Sequence, residues 1–151
     1  MDIVKYHYSS MIKTIYLSNV LENFYKSYQA LPAKLRQFRF LHDAAESSRA
    51  LFYGNDHKAI ITSFPIEEAY FKYICRLMGW QKVINLYPQT HSHSLCSDCL
   101  TDNNLRRYLV DLVKDNPGID VIPYRATNEF YDLIGFLRQK SLHFTKISIR
   151  C

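Results

Sequence analysis

The sequence predicts an α/β fold: a mainly parallel sheet of three or four strands in a three-layer sandwich, with an N-terminal α-helical hairpin. Two observations predict it. Residues 59–88 have the pattern of a strand, a helix and a strand in close succession, and strand and helix patterns keep alternating after them. The first fifty or so residues instead show apolar side chains at the three-and-four spacing of helices with one buried face.

Residues 59–88 form the predicted βαβ unit around which the chain is organised. Its first strand is the short β-branched run 59–62. Pro65, Glu67 and Glu68 suit the first turn of a helix, where a missing N–H costs little and negative charge meets the positive end of the dipole. Gly79 is placed to end that helix in the left-handed conformation. A second strand over 83–87 then runs parallel to the first.

The N-terminal third is predicted to be helical. A broad apolar stripe from Met11 to Tyr28 indicates one helix, and apolar residues at helical intervals between Pro32 and Phe52 indicate a second. The turn signal at Gly54 ends this segment. Residues 1–54 are therefore predicted to form a helical hairpin that leads into the first strand.

The segment after the βαβ unit begins with a polar stretch rich in Ser and His. Residues 89–101 are predicted to form a loop that is long enough to suggest a function. A helix with Leu105 on its buried face follows, and Thr101 or Asp102 can cap it.

A third strand is predicted over residues 119–122, followed by a last helix that Thr127 can cap. The tail, residues 143–151, alternates weakly and is either an edge strand or loose. We interpret the chain as a single domain, with the α/β unit proper over residues 55–142.

Charge and composition narrow the class of partner. Of the 151 residues, 48% are hydrophobic and 22% charged, as in a globular domain. The net charge of +5 favours an anionic ligand or an acidic partner. Basic residues are scattered, with Lys34, Arg36 and Arg39 closest to a cluster, so specific nucleic-acid binding is not indicated. The twelve tyrosines have apolar bodies and polar tips, which favours a protein partner or self-association.

Cysteine usage and hydropathy predict the setting of the protein. Four cysteines are too few for a disulfide framework, and no secretory segment precedes them. The longest apolar runs are shorter than a membrane span. We therefore expect a reduced, cytoplasmic setting without membrane contact.

The carboxyl ends of the strands are the expected place for a ligand, as in open α/β sheets. The side chains predicted on that rim are Ser63, Arg125 and Thr127. Two of the rim segments lead directly into helix N-termini, where backbone N–H groups can meet an anion. The alternative is that Ser63 and Thr127 only cap helices and that Arg125 is solvated.

The polar loop contains two imidazoles and two thiols, His91, His93, Cys96 and Cys99, which could form a tetrahedral zinc site. Structural zinc sites usually join two separated ligand pairs through a folded segment, and these four ligands lie within nine residues. The compressed spacing therefore argues against zinc. The alternative is an exposed loop whose thiols turn inward as small apolar groups.

Motifs for nucleotide binding and catalysis are absent. A chain with four glycines cannot supply a glycine-rich phosphate loop, and no Gly-x-Ser-x-Gly nucleophile elbow occurs. We therefore assign no catalytic residue and expect no cofactor.

Three short motifs together suggest a family. They are the turn after the first strand, the helix end from Tyr73 to Gly79, and the Pro-Tyr-x-x-Thr run from Pro123 to Thr127. In this combination, residues 51–142 resemble the pre-ATP-grasp domain of ATP-grasp carboxylate–amine ligases, which include peptide ligases. The resemblance implies a small Rossmann-like unit that packs beside an ATP-grasp core and helps to shape the substrate cleft.

The resemblance also implies that this polypeptide does not ligate substrates alone. The residues after 142 hold no glycine-rich lid and no acidic metal ligands, so ATP and Mg would act only through a core that a partner supplies. Two alternatives stay open. One is a small anion-binding or enzymatic domain that uses the strand-end rim, and the other is a metal-binding adaptor built on the His/Cys loop.

Overall fold

The structure, a computed structural model, describes residues 11–140, in which strands and helices alternate. The strands are β1 (Thr14–Leu17), β2 (Lys58–Ile61), β3 (Val83–Leu86) and β4 (Asp120–Pro123). The α-helices are α1 (Val20–Tyr28), α2 (Ala33–Glu46), α3 (Glu68–Leu77), α4 (Leu95–Thr101), α5 (Asn103–Asp115) and α6 (Asn128–Lys140), and a 3₁₀ helix spans Ser47–Phe52.

The strands in the described part of the chain form one parallel sheet in the order β3-β2-β1-β4. At its carboxyl edge, Leu17 pairs with Ile61 on one side and with Pro123 on the other. From β1 through β2 to β3 the chain moves in one direction, and it then returns to place β4 on the far side of β1. The predicted class, a small α/β sandwich with a mainly parallel sheet, is confirmed.

Each face of the sheet carries its own core because neighbouring side chains on a strand point to opposite faces. On one face, Ile61 belongs to a cluster with Leu109 of α5 and Phe130 of α6. On the other face, Ile60 packs with Ile74 of α3 and with the 3₁₀ helix. The result is three layers, with the sheet between two sets of helices.

The prediction of a single helix from Met11 to Tyr28 is wrong, because this stretch forms β1 and then α1. Ile15 and Leu17 are 1% exposed and alternate with half-buried neighbours, as the burial of a strand requires. β1 lies between β2 and β4, so the described part of this N-terminal third, residues 11–54, supplies a central strand as well as α1 and α2. The edge strand considered for the tail lies outside the described residues.

The βαβ unit over residues 59–88 is confirmed as β2, α3 and β3, paired in parallel. The N-cap of α3 is Glu67, whose carboxylate accepts hydrogen bonds from the backbone N–H groups of Ala69 and Tyr70. These bonds lower the pKa of Glu67. Gly79 follows the helix with a φ of 68°, which is the left-handed ending that the sequence predicts.

The prediction that residues 89–101 form a loop is wrong for their second half, which is α4. The Ser94 hydroxyl caps this short helix by accepting a hydrogen bond from the N–H of Ser97 at 3.2 Å. Leu95, Cys96 and Cys99 are buried in the core on its inner side. The sequence does not reveal α4 because this helix is only seven residues long and Ser97, Asp98 and Thr101 interrupt its apolar residues.

Lys58, at the start of β2, is fully buried although it carries an ionisable group. Its Nζ donates hydrogen bonds to the carbonyl oxygens of Leu51 at 2.6 Å and Tyr53 at 2.7 Å. It also lies 3.6 Å from the centre of the Trp80 ring. Burial lowers the pKa of Lys58 to about 8. The side chain thereby ties the end of the 3₁₀ helix to the sheet.

Candidate functional site

The carboxyl edge of the sheet contains a topological switch point between β1 and β4. The chain leaves β1 toward β2, whereas β4 lies on the opposite side of β1. Ligands of open α/β folds bind in the crevice at such a point. The segments that meet here are the one after β1, with Asn19 and Glu22, and the one after β4, with Arg125 and Thr127.

Glu22, in the first turn of α1, joins the N-terminal ends of three helices. Its Oε1 accepts a hydrogen bond from Asn19 Nδ2 at 2.9 Å and another from the hydroxyl of Thr127, just before α6. Its Oε2 accepts one from the Ser94 hydroxyl and one from the Cys96 N–H, both at 2.9 Å, at the start of α4. Both carboxylate oxygens are therefore fully engaged within the protein.

Asn19 closes the gap between the segments after β1 and β4. Its Nδ2 donates to the carbonyl oxygen of Arg125 at 2.8 Å, and its Oδ1 accepts from the Arg125 N–H at 3.2 Å. The Asn19 side chain is buried. Because it pairs with both backbone groups of one residue, it holds the two segments together much as a strand pairing would.

The carboxylate of Glu22 lies where an anionic ligand would be expected in this fold. Helix N-termini attract negative charge through their free N–H groups and their dipoles. A phosphate at the same place would have to displace Glu22 or lie beside a like charge. The switch point is thus occupied by hydrogen bonds within the protein. We call this set of bonds, made by Asn19, Glu22 and Thr127, the clamp.

The three predicted rim residues do not form one site. Thr127 is committed to the clamp, since its hydroxyl donates to Glu22 and accepts from the Phe130 N–H at 3.1 Å. The Ser63 N–H donates to the Ser47 hydroxyl at 3.2 Å, on the other side of β1. The Arg125 side chain is exposed and has no hydrogen-bond partner among residues 11–140.

The predicted zinc ligands are placed in two different environments. Cys96 and Cys99 are completely buried, and burial raises the pKa of both thiols far above its usual range. His93 instead stacks on Tyr25 with ring centroids 4.4 Å apart, and His91 lies against Phe64 at 4.3 Å. In the part of the chain that the structure describes, no group of three or more His, Cys, Asp or Glu side chains could hold a metal ion.

Sequence reasoning missed Asn19 and Glu22, the two residues on which the clamp depends. Their spacing, Asn-x-x-Glu, is close to that of a capping box and marks the start of a helix. That signal could have located α1. It could not have revealed the clamp, because the partners in other elements lie between 72 and 106 residues away along the chain.

A second candidate site is the outer surface of α2, which we call the α2 face. It consists of Leu35, Phe38 and Leu41, each between 44% and 63% exposed, together with the basic residues Lys34 and Arg39. The three apolar residues follow one another at three-residue intervals and so share one side of the helix. Such a row of exposed apolar side chains on one helix side is typical of an interaction surface.

The inner side of α2 packs against α1 and His93, so the α2 face points outward. Asp43 is buried and accepts a hydrogen bond from the Tyr28 hydroxyl at 2.7 Å. Burial, followed by that bond, raises the pKa of Tyr28 to about 12. Phe40 packs on Tyr25 with ring centroids 5.7 Å apart and on His93 at 4.7 Å.

Comparisons of the chain with protein-family models, with curated proteins and with solved structures find no match. Within residues 11–140, none of the helices is both long and apolar enough to span a bilayer.

Proposed function

We propose that this protein is a non-catalytic docking domain whose α2 face binds an acidic segment of a protein partner. The observation that carries the proposal is the row Leu35, Phe38 and Leu41, which is exposed on a helix whose opposite side is fixed. An amphipathic partner segment could bury this row and gain hydrophobic free energy in proportion to the apolar area removed from water.

The charges around the α2 face favour an acidic partner. Lys34 and Arg39 are exposed, whereas the acidic residues of α2 are engaged: Asp43 is buried, and Glu46 pairs with Arg49 at 2.6 Å. The N-cap of α2 is Pro32, and the helix has no acidic residue in its first turn and no side-chain cap within the described residues. Carboxylates on a partner would complement both the basic side chains and the positive end of this helix.

The clamp at the switch point supports a docking role over a catalytic one. Glu22 fills the position that an anionic substrate or nucleotide would take, and all of its acceptor capacity is used. Chemistry would then belong to the partner. The sequence resemblance suggests an ATP-grasp core as that partner, with ATP and Mg bound there and the docking domain shaping the cleft.

Affinity capture with matched variants tests the proposal. We compare the wild-type protein, a variant with Leu35, Phe38 and Leu41 all changed to Ser, and a Tyr131→Ser control, which alters an exposed aromatic residue of α6. The expected partner is retained by the wild type and the control, is lost with the triple variant and at high salt, and binds through an acidic stretch. Each substitution at an exposed site should change the free energy of unfolding by no more than about 0.5 kcal/mol, so the variants stay folded.

Two results would contradict the proposal. One is a partner that the triple variant captures as well as the wild type does. The other is binding to vesicles of phosphatidylserine and phosphatidylcholine in place of a protein. A separate thermal-shift measurement with ATP and Mg should show no stabilisation of the isolated protein, since clear ATP binding would indicate a nucleotide site within the domain itself.

A further inference from the structure

We propose that a cavity between α3 and the start of β3 binds a small aromatic carboxylic acid, with the ring against Trp80 and the carboxylate on Arg76. The inference is independent of the docking proposal, because this cavity lies beside a different helix from the α2 face. Its volume is about 310 Å³, at the lower end of the range for small-molecule sites.

One wall of the cavity is made by two rows of side chains on α3. The inner row is Phe71 and Cys75, and the outer row is Lys72 and Arg76. Each pair is four residues apart, so its members follow one another along the helix. The inner pair is half-buried, whereas the outer pair is exposed. The wall therefore changes from apolar side chains inside to basic side chains next to the solvent.

The end of α3 places Trp80 in the opposite wall. The N–H groups of Gly79 and Trp80 donate to the carbonyl oxygens of Arg76 at 3.2 Å and Cys75 at 2.8 Å, which is the Schellman ending of a helix. The indole is half-buried and lines the cavity. Because these backbone bonds exist without a ligand, binding does not have to order this part of the chain.

The charges around the cavity favour an anion. Among the described residues, none of those that line it is acidic. Behind the indole, the buried Lys58 ammonium lies 3.6 Å from the ring centre and adds positive charge. The Asp56 carboxylate interacts with Lys58, but it accepts hydrogen bonds from the N–H groups of Gln81 at 3.0 Å and Lys82 at 2.7 Å.

Arg76 is the cation that a bound carboxylate would meet. Lys72 already forms an ion pair with Glu68. Arg76 is exposed and has no carboxylate within ion-pair distance among residues 11–140. Its planar guanidinium can donate two parallel hydrogen bonds to one carboxylate, which a single-point cation cannot do.

The apolar part of the cavity favours an aromatic ring over an alkyl chain. Phe71 and Trp80 both line it. Aromatic pairs in offset or edge-to-face contact contribute about 0.5–1.5 kcal/mol beyond the burial of their area. An acid such as phenylpropionate has one ring and one carboxylate, and so matches the aromatic and the basic part of the cavity.

The fluorescence of Trp80 tests the site directly, since this is the one tryptophan in the sequence. Excitation at the red edge of the indole absorption avoids the tyrosines. Phenylpropionate should give a saturable change in the emission. Phenylpropanol, which lacks the charge, and cyclohexylpropionate, which lacks the aromatic ring, should each bind about fivefold more weakly. Acetate at equal ionic strength is the blank.

Matched variants and a second readout locate the ligand. Arg76→Gln should weaken phenylpropionate binding about fivefold and leave phenylpropanol binding unchanged. Arg107→Gln makes the same charge change at an exposed position of α5, on the other face of the sheet, and should have no effect. In a Cys151→Ser background, phenylpropionate should slow the alkylation of Cys75 by iodoacetamide, because this thiol lines the cavity.

Three results would each overturn the proposal. They are a Trp80 emission that shows no saturable response to phenylpropionate, equal binding of the acid and the alcohol, and binding that leaves the alkylation of Cys75 unchanged. All three are measured without a change at Arg76, so the test holds if Arg76→Gln folds poorly. Circular dichroism checks the folding of both arginine variants.

Discussion

The carboxylate of Glu22 accepts a hydrogen bond from the hydroxyl of Thr127, a residue 105 positions further along the chain. This contact joins the segment after β1 to the segment after β4 at the switch point of the sheet. Together with the bonds from Ser94 and Cys96, it makes Glu22 the residue on which α1, α4 and α6 converge.

Replacing Glu22 by Gln should destabilise the protein by about 2 kcal/mol, because hydrogen bonds to a charged acceptor are worth about 1.5–3 kcal/mol each and only some can be kept. The Gln side chain has one acceptor oxygen, whereas the four donors around Glu22 use both of its carboxylate oxygens. Urea unfolding measures the loss. Glu68→Gln, which removes an exposed ion pair, is the matched control and should cost under about 1 kcal/mol. Equal effects of the two substitutions would show that the clamp is not important for stability.

Ser18 and Ser47 should respond in opposite ways to substitution by Ala. The Ser18 hydroxyl is buried and has no hydrogen-bond partner within residues 11–140. The Ser47 hydroxyl is also buried, but it donates to the Ala44 carbonyl at 2.6 Å and accepts from the Ser63 N–H. Ser18→Ala should be neutral or stabilising, and Ser47→Ala should cost about 1 kcal/mol. A marked loss of thermal stability in Ser18→Ala would contradict this account.

The sequence predicts those parts of the fold whose signals are local. The βαβ unit is found because Glu67 and Gly79 mark the two ends of α3 and because its apolar period changes clearly from strand to helix. β1 is missed because Ile12, Ile15 and Tyr16 fit a helical stripe that continues into α1 as well as they fit a strand. A four-residue central strand next to a helix gives no period of its own.

The candidate sites are less predictable because they depend on contacts between distant parts of the chain. Thr127 was predicted as a cap and does cap α6 through the Phe130 N–H, yet its second bond, to Glu22, has no local signal. The His/Cys run could be read as a zinc site because spacing alone does not show that α4 turns both thiols into the core. The α2 face appears only when the buried side of the helix is known.

The contribution of Lys58 to the stability of the protein should rise with pH above neutrality. In the native state its pKa is lowered from 10.5 to about 8, mainly by burial. Between these values the Lys58 side chain binds more protons in the unfolded chain than in the native one, so its contribution to the free energy of unfolding increases with pH, by up to about 3 kcal/mol. Below pH 8 both states are protonated and the full cost of burying the charge remains.

The measurement is urea unfolding of the wild type and Lys58→Met between pH 7 and 10. The difference in unfolding free energy should grow with pH in favour of the wild type, since the other titrating groups are common to both proteins. Parallel curves would contradict the buried position of Lys58. A direct NMR titration of its Nζ gives the same answer if the variant is poorly folded.

The thiols should differ in reactivity according to their burial. In a Cys151→Ser background, Cys75 is half-buried whereas Cys96 and Cys99 are fully buried, with pKa values raised by burial. At pH 8, an aromatic disulfide reagent should modify Cys75 first, and the other two only after the protein is unfolded in guanidinium. Rapid reaction of all three thiols, or stoichiometric zinc in the purified protein, would show that the segment with α4 is not packed as described.

Hydrogen–deuterium exchange of the partner complex tests the central claim most directly, because it shows which surface the partner covers. The account predicts that protection on binding is concentrated in Ala33–Glu46, the residues of α2, and is lost when Lys34 and Arg39 are both changed to Glu. Protection at the switch point, around Asn19, Glu22 and Arg125, with α2 unchanged would instead show that the rim is the binding site and would contradict the docking role proposed for α2.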